Sequence, residues 1–212
     1  MKLKSILINI VLFAVVVFLA IKVIQSIKAP IDFGNEQKMR ETQVVQRLKD
    51  IRDAEIQYKQ AHNKYTSSFD TLINFCSNYE IPIVNMIPDP EDTTFTRTIN
   101  DTIGYVKVID SLFGKRNNFN INDLSVVPFS DPATKFEIQD SIIKRGGISV
   151  PVFEVKTPYE VYLDKPGKKF TEKEWQTRVN NLKAEMEQLD KYAGLKVGSL
   201  EEASTDGNWE KL

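Results

Sequence analysis

An almost unbroken apolar run near the start of the chain is its strongest pattern. Behind a short basic start, no residue from Ile6 to Ile21 carries a charge. A membrane-spanning helix needs about 20 apolar residues to cross about 30 Å of hydrocarbon. Continuing through Lys22 to Ile27 supplies that length, because the lysine stem can stay in lipid while its ammonium reaches the headgroups. Residues 1–29 are therefore predicted to be a cytoplasmic head and a transmembrane anchor.

A cleaved signal peptide is the alternative interpretation of the same run. Cleavage requires small residues at both positions of an A-x-A site, whereas Phe18 lies two residues before Ala20. We therefore favour an uncleaved anchor. First helices with a very short basic head usually keep that head in the cytoplasm. The expected location is the inner (cytoplasmic) membrane, crossed once, with the C-terminal domain in the periplasm.

The polar and apolar positions after the anchor predict a second, amphipathic helix. Pro30 and Gly34 predict the end of the first helix and a linker at residues 30–35. A second helix is then expected from Glu36 to His62. Its apolar positions fall on one stripe at 100° per residue, namely Val44, Leu48, Ile51, Ala54, Tyr58 and Ala61. Two further apolar residues, Val45 and Ile56, lie off that stripe, either as ordinary scatter or as a ridge that faces a partner.

The remaining pattern predicts an α+β domain over residues 36–212. A short helix is expected at Phe69–Asn78, capped by Ser67 or Ser68. Prolines 82, 88 and 90 suggest an irregular acidic connection. Gly146-Gly147 indicates a β-hairpin, and Pro151 within its second strand indicates an edge or a bulge. The expected strands are Tyr105–Ile109, Leu124–Val127, Lys135–Ile138, Ser141–Lys144 and Ile148–Val155.

A C-terminal helix completes the predicted fold. Thr171 and Glu174 form a capping-box pattern that opens a helix to about Tyr192, and Gly194 ends it before a short irregular tail. The fold class is therefore α+β: an N-terminal transmembrane helix, an amphipathic helix packed on a small antiparallel sheet, and a further C-terminal helix.

Composition narrows the function classes. The 28 basic and 29 acidic residues give a net charge of −1, so no basic surface for nucleic acid is expected. The single Cys76 excludes an internal disulfide and is interpreted as a core thiol. The single His62 excludes a multi-histidine metal site.

Motifs for catalysis are not visible in the sequence. It contains no nucleophile elbow, phosphate loop, dinucleotide fingerprint or cysteine pair. The acidic segment Asp89 to Asp92 lacks the spacing and the turn glycine of a calcium loop. We therefore expect no enzymatic activity, no cofactor and no metal site.

One short pattern recurs more often than composition explains. Asp followed by Ser or Thr and then by a small or aliphatic residue begins at Asp70, Asp92, Asp101, Asp110 and Asp140, where roughly one occurrence is expected. The pattern resembles the O-glycosylation acceptor motif of extracytoplasmic proteins in certain Gram-negative bacteria. That resemblance makes Thr93, Thr102, Ser111 and Ser141 candidate acceptors, whereas Thr71 is expected in a packed helix.

The residue pattern at 48–59 and 64–72 is similar to the helix-to-loop region of type IV pilins and type II secretion pseudopilins. The resemblance implies an apolar helix that leads into an amphipathic helix, covered by an antiparallel sheet. The whole chain, including residues 110–115, 194–203 and 207–210, also resembles a family of bacterial single-pass membrane proteins with no assigned activity. That second resemblance implies no mechanism.

These features lead to a first hypothesis: a non-enzymatic, pseudopilin-like structural or assembly component of a cell-envelope complex. Its partners would be the lipid bilayer and other proteins or further copies in the inner membrane. Candidate partner contacts are Asn9, Val45 and Ile56. Asn9 either gains a hydrogen bond to another helix in lipid or is hydrated near the cytoplasmic interface.

The alternative hypothesis is a monomeric periplasmic binding module for a glycan, a peptide or a cell-wall fragment. It requires exposed aromatic side chains gathered beside a concave pocket. The candidates are Tyr105, Phe119, Phe129 and Tyr159.

Overall fold

One uninterrupted helix forms the first part of the computed structural model, which describes residues 2–88, 98–117 and 119–210. This helix, α1, is Lys2–His62. The prediction that a first helix ends at Pro30 is therefore wrong, and residues 30–35 are helical. Proline inside a helix costs about 3 kcal/mol, since it removes a hydrogen bond and crowds the preceding turn.

Packing beside Pro30 supplies the physical reason for this continuity. Phe33 is buried, with its ring centroid 4.9 Å from that of Trp175 and 6.3 Å from that of Phe170. The carboxylate of Asp32 lies 2.8 Å from the Lys169 ammonium. Burial of one phenylalanine side chain contributes about 1.5–3 kcal/mol, enough to offset most of the cost of the proline.

The predicted apolar stripe forms the inner face of α1. Val44, Leu48, Ile51 and Ala54 are fully buried, Tyr58 is nearly so and Ala61 is partly buried. The helix ends at His62 as predicted, because Asn63 adopts a left-handed conformation with a φ of 57°. Helix α2, Phe69–Asn78, is also confirmed, and Ser68 caps it by accepting a hydrogen bond from the N–H of Thr71.

Two separate antiparallel sheets follow in the described chain. Strands β1, Glu80–Pro88, and β2, Thr98–Lys107, pair with each other. The predicted irregular connection at Pro82 and Pro88 is thus wrong for residues 80–88. Only one edge of β1 is paired, so a strand that contains prolines is tolerated there.

The second sheet has the strand order β3-β4-β5, from β3, Glu137–Arg145, through β4, Ile148–Pro158, to β5, Gly194–Gly198. The hairpin at Gly146-Gly147 is confirmed, with φ values of 59° and 82° at the two glycines. Pro151 lies beyond the part of β4 that pairs with β5, so its position is a local edge as predicted.

Two predicted strands are helical over part of their length. Helix α3, Val108–Phe113, replaces the end of the strand predicted at residues 105–109, and a 3₁₀ helix, Ile121–Ser125, occupies the start of the strand predicted at 124–127. These short helices bury Val108, Phe113 and Leu124 together with α2 and α1. Tertiary burial therefore overrides the local strand preference of residues 108–109 and 124–125.

The C-terminal part begins with the short helix α4, Tyr159–Tyr162, and continues with α5, Glu172–Gln188. The capping box of Thr171 and Glu174 is confirmed, whereas α5 ends before the predicted Tyr192. Residues 194–198 form β5 and not an irregular tail. Gly194 is required there, because a Cβ atom would collide with the carbonyl oxygen of Thr157 in β4.

The apolar half of α1 projects beyond this domain. Among the described residues, α1 is one helix long and apolar enough to cross a membrane. Its 61 residues extend about 90 Å at 1.5 Å per residue. The fold is thus α+β: a long N-terminal apolar helix, small antiparallel sheets and further helices.

Candidate functional site

A cleft of about 470 Å³ lies between the middle of α1 and the loop that follows the 3₁₀ helix. Its volume falls within the range of ligand-binding sites in proteins. Gln43, Gln46, Arg47 and Asp50 of α1 form one side. The other side includes Arg116, Phe119, Asp123 and residues 126–130 and 132. The cleft therefore combines two arginines and two carboxylates with an apolar wall.

Asp50 is the buried acceptor at the centre of this arrangement. Its Oδ2 accepts a 2.7 Å hydrogen bond from Nη1 of Arg116, and its Oδ1 accepts a 3.0 Å bond from Nε2 of Gln46. The side chain of Asp50 is only 4% exposed, whereas that of Arg116 is 40% exposed. The hydrogen bond to Asp50 raises the pKa of the Arg116 guanidinium. Both Asp50 oxygens are thus already engaged.

Arg47 is the unusual residue of the cleft. Its Nη1 is buried and has no hydrogen-bond partner in the described part of the chain. Burial lowers the pKa of this guanidinium, and the negative charges of Asp50 and Asp123 oppose that effect. Buried polar atoms in proteins are nearly always hydrogen-bonded. Arg47 therefore offers a donor without an acceptor.

Two of the four aromatic residues considered above, Phe119 and Phe129, line this cleft. Phe119 stacks on Phe113 with ring centroids 4.1 Å apart, and Phe129 lies 5.4 Å from the guanidinium carbon of Arg40. Phe129 adopts a φ of 66°, which is uncommon for a residue other than glycine. Tyr105 is exposed on β2 and Tyr159 is buried, so neither contributes to the cleft.

Sequence reasoning named these two aromatic residues but missed the charged ones. Arg47 and Asp50 lie on α1, whereas Arg116 lies 66 residues after Asp50. Gln43, Arg47 and Asp50 recur at helical spacing, and this polar stripe was only a weak sequence signal for a binding site on α1. No spacing rule links them to residues 116–132.

The predicted partner contacts lie at separate places on α1. Val45 and Ile56 are partly buried, and Val45 packs against the core. Asn9 lies in α1, but the contacts of its side chain are outside what the structure describes. Val45 and Ile56 do not line the cleft.

The candidate glycosylation positions are spread over the domain. Thr102 in β2, Ser111 in α3 and Ser141 in β3 are exposed, and so is Thr71 on the outer face of α2. Thr93 and the acidic segment Asp89 to Asp92 lie outside the described residues. Modification at these positions stays a prediction.

A second surface feature is the β1–β2 hairpin. Seven of its apolar side chains are between 39% and 71% exposed: Ile83, Val84, Met86, Ile87, Ile99, Ile103 and Tyr105. We refer to these seven residues as the hairpin surface. In the described chain, β1 and β2 pair only with each other, so the outer edge of each strand is open.

Cys76 and His62, the single cysteine and the single histidine of the sequence, lie outside the cleft. Cys76 is a fully buried free thiol, and burial raises its pKa to about 12, which confirms the prediction of a core thiol. His62 stacks on Tyr58 with ring centroids 4.3 Å apart. Within the described ranges, no three His, Cys, Asp or Glu side chains converge to hold a metal ion.

Comparison with known proteins gives no relative from which a function could be transferred. The chain matches no protein-family model, and no curated protein sequence and no solved structure shows significant similarity to it.

Proposed function

We propose that this protein is a non-enzymatic, pseudopilin-like assembly component of the cell envelope, anchored in the inner membrane through the first part of α1. The hairpin surface is the observation that carries this proposal. The register places Ile83, Ile87 and Ile99 on one face of the hairpin and Val84, Met86 and Tyr105 on the other, so both faces are apolar and exposed. Large exposed apolar areas on soluble proteins mark interaction sites. A periplasmic domain that shows such a surface requires something to cover it.

A second copy of the chain is the partner that the hairpin fits. Strand β2 has ten residues and contains no proline, its charged residues are Asp101 and Lys107, and the register shift leaves Ile103 as a bulge. Its open edge is therefore long enough for strand pairing on the side of the bulge that includes Thr98–Thr102. An antiparallel edge strand can pair with its own copy about a two-fold axis. Anchoring by α1 would hold all copies in one membrane with the same orientation, which raises their effective concentration.

The continuous α1 supports a defined orientation for this contact. Phe33 and Arg40 fasten the helix to the domain, and Arg40 donates hydrogen bonds to the carbonyl oxygens of Tyr162 and Lys165. A flexible linker would let the domain rotate freely relative to its anchor. A docked helix instead presents the hairpin surface at a fixed position, as an assembly component requires.

The native mass of the full-length protein in mild detergent tests this proposal. The wild-type protein is expected to form a homo-oligomer, and the double variant Met86→Lys/Ile103→Lys is expected to be monomeric. Ile142→Lys is the matched control, because Ile142 is 68% exposed but lies in β3. A wild-type protein that stays monomeric at high concentration contradicts the proposal. A different protein that co-purifies and is lost with the double variant replaces the second copy as the partner.

A periplasmic binding module is the second candidate function, and the cleft favours it. That hypothesis requires exposed aromatic side chains gathered beside a concave pocket. Phe119 and Phe129, both partly exposed, line the cleft, whereas Tyr105 and Tyr159 do not. Titration of the full-length protein in detergent with a short apolar peptide and with a soluble cell-wall fragment tests this candidate independently of oligomeric state. Saturable binding of either probe supports it, and no binding of either contradicts it.

A further inference from the structure

We propose that five exposed lysines at the base of the domain bind the anionic headgroups of the lipids around the anchor. They are Lys28 of α1 and, around the start of α5, Lys165, Lys168, Lys169 and Lys173. We refer to these five residues as the basic face. The inference rests on the membrane anchoring that is part of the proposed function. It does not depend on self-association through the hairpin or on a ligand in the cleft.

The continuity of α1 fixes the distance between the basic face and the bilayer. The apolar span ends at about Ile27, and the headgroup layer extends about 5–7 Å beyond the hydrocarbon core on each side. For a helix along the membrane normal, a rise of 1.5 Å per residue makes this layer reach from Lys28 to about Asp32. Lys28 therefore lies among the headgroups, and Asp32 lies at their outer surface.

The loop before α5 is attached to α1 at this same level. The ammonium of Lys169 lies 2.8 Å from the carboxylate of Asp32. The next residue, Phe170, packs on Phe33 with ring centroids 6.3 Å apart. These two contacts hold residues 165–170 beside the outer surface of the headgroup layer.

The first turn of α5 also faces the end of the apolar span. Hydrogen bonds from Thr171 lower the pKa of Glu174, and the positive charges of Arg178 and Lys22 add to this effect. Coulomb interactions weaken with distance, so Lys22 lies near Glu174. Lys22 is the residue whose ammonium is predicted to reach the headgroups. Lys173, in the same turn as Glu174, is therefore close to the membrane as well.

Positive charge is concentrated at this end of the domain. Residues 22–33 and 164–178 contain seven basic and four acidic residues. Apart from these residues and the two lysines of the cytoplasmic head, the chain contains 19 basic and 25 acidic residues. Clusters of lysine and arginine next to a membrane-spanning helix attract anionic lipids. The bilayer is thus the negatively charged surface that this end of the domain meets first.

The lysines of the basic face have few competing partners within the protein. Four of them form no ion pair with any residue that the structure describes, namely Lys28, Lys165, Lys168 and Lys173. The fifth, Lys169, pairs with Asp32, but its side chain is still 68% exposed. An ammonium group binds phosphate as a compact point charge. The phosphodiester of an anionic headgroup can therefore pair with these lysines without displacing a protein carboxylate.

Native mass spectrometry of the full-length protein in a non-ionic detergent tests the inference. The probes are dioleoyl-phosphatidylglycerol and dioleoyl-phosphatidylcholine, which have the same acyl chains and differ in net headgroup charge. The phosphatidylglycerol is expected to bind at least about tenfold more tightly. This preference should fall several-fold between about 0.1 M and about 1 M ammonium acetate, because salt screens the charges. Equal binding of the two lipids, or a preference that salt does not change, overturns the inference.

Two charge-reversal variants assign the preference to the basic face. Lys165→Glu/Lys168→Glu is expected to reduce the preference for phosphatidylglycerol several-fold. The control Lys64→Glu/Lys144→Glu changes the net charge equally at exposed positions beyond the far end of α1 and in β3, and it is expected to keep the preference. Loss in both variants, or in neither, contradicts a role for the basic face. The comparison of the two lipids on the wild type decides the inference even if a variant does not fold.

The acidic surface of a second copy is the other candidate partner for the basic face. Lost oligomers in Lys165→Glu/Lys168→Glu, without a lipid preference in the wild type, would assign the face to that copy and overturn the inference. A monomeric wild type that prefers phosphatidylglycerol would contradict self-association and support lipid binding. Release of the protein from membranes by alkaline carbonate would contradict the anchoring, and both proposals with it.

Discussion

Glu55 is a carboxyl group enclosed in the core of the domain. Its side chain is fully buried, its Oε2 accepts a 3.1 Å hydrogen bond from the N–H of Thr66, and its Oε1 has no partner in the described chain. Burial raises its pKa from 4.5 to about 8, and the negative charge of Asp140 adds to that effect. The folded protein therefore holds a proton at Glu55 that the unfolded chain releases.

The stability of the domain is therefore expected to depend on pH through this residue. A raised pKa in the folded state stabilises the fold fully below about pH 4.5, and this contribution is lost as pH rises toward about 8. Glu55→Gln removes the titration, so its free energy of unfolding should change less over that range than that of the wild type. Denaturant unfolding at about pH 5 and about pH 8.5 measures the difference.

The exposed Glu201→Gln is the control for this measurement. It is expected to retain the wild-type pH dependence. Equal slopes for wild type and Glu55→Gln would contradict the assignment to Glu55.

At the scale of single elements, helix α5 is defined by its N-terminal cap. The Thr171 hydroxyl accepts a hydrogen bond from the N–H of Glu174, and the Glu174 carboxylate accepts one from the N–H of Thr171. The helix carries Trp175, which is fully buried against Phe33 of α1. The cap therefore stabilises the element that holds α1 on the domain.

Thr171→Ala is expected to reduce the free energy of unfolding by about 1 kcal/mol, because it leaves the backbone N–H of Glu174 without an acceptor. Thr177→Ala in the same helix is the matched control. Thr177 is exposed and bonds only to the carbonyl of Lys173 in the preceding turn, so little change is expected. Denaturant unfolding of both variants measures the two free energies of unfolding. An equal decrease in both variants would contradict a capping role for Thr171.

The predicted strands show where the local conformational preference of residues does not determine the secondary structure. The Gly146-Gly147 hairpin is predictable because two adjacent glycines favour one turn type. Val108 and Ile109 belong to the β-branched run that predicted a strand at Tyr105–Ile109, and they nevertheless begin helix α3. Val108 and Phe113 are buried in that helix, and this burial decides its conformation.

At the scale of the whole molecule, the continuity of α1 determines how the domain relates to the apolar span. The helix passes Pro30 without interruption, and Phe33 anchors the next turn on Phe170 and Trp175. The contact ties residue 33 to elements about 140 residues later in the chain. It gives the apolar helix and the domain a fixed attachment.

Phe33→Ala is expected to release this attachment, at a cost of about 3 kcal/mol. The measurement is hydrogen exchange of the backbone amides of residues 31–40 in the full-length protein, which should become faster. Ile31→Ala is the control, because Ile31 is 58% exposed. Unchanged exchange in Phe33→Ala, or equal acceleration in both variants, would show that the aromatic contact does not hold the helix.

The sequence by itself determined the features that depend on neighbouring residues. The apolar span, the stripe from Val44 to Ala61, α2, the Gly-Gly hairpin and the capping box all follow from local spacing. Each is fixed by backbone geometry over a few turns or strand residues, so its signal lies in adjacent positions.

Only the tertiary structure decided which distant residues meet. In the tertiary structure, α1 continues through Pro30, and Gly194 lies in a strand where an irregular tail was predicted. Arg116 contacts Asp50, which lies one turn from Arg47 on α1. The energy of these contacts depends on burial against elements far away in the chain. A linear pattern of polar and apolar residues does not contain that information, and so the cleft could not be predicted from it.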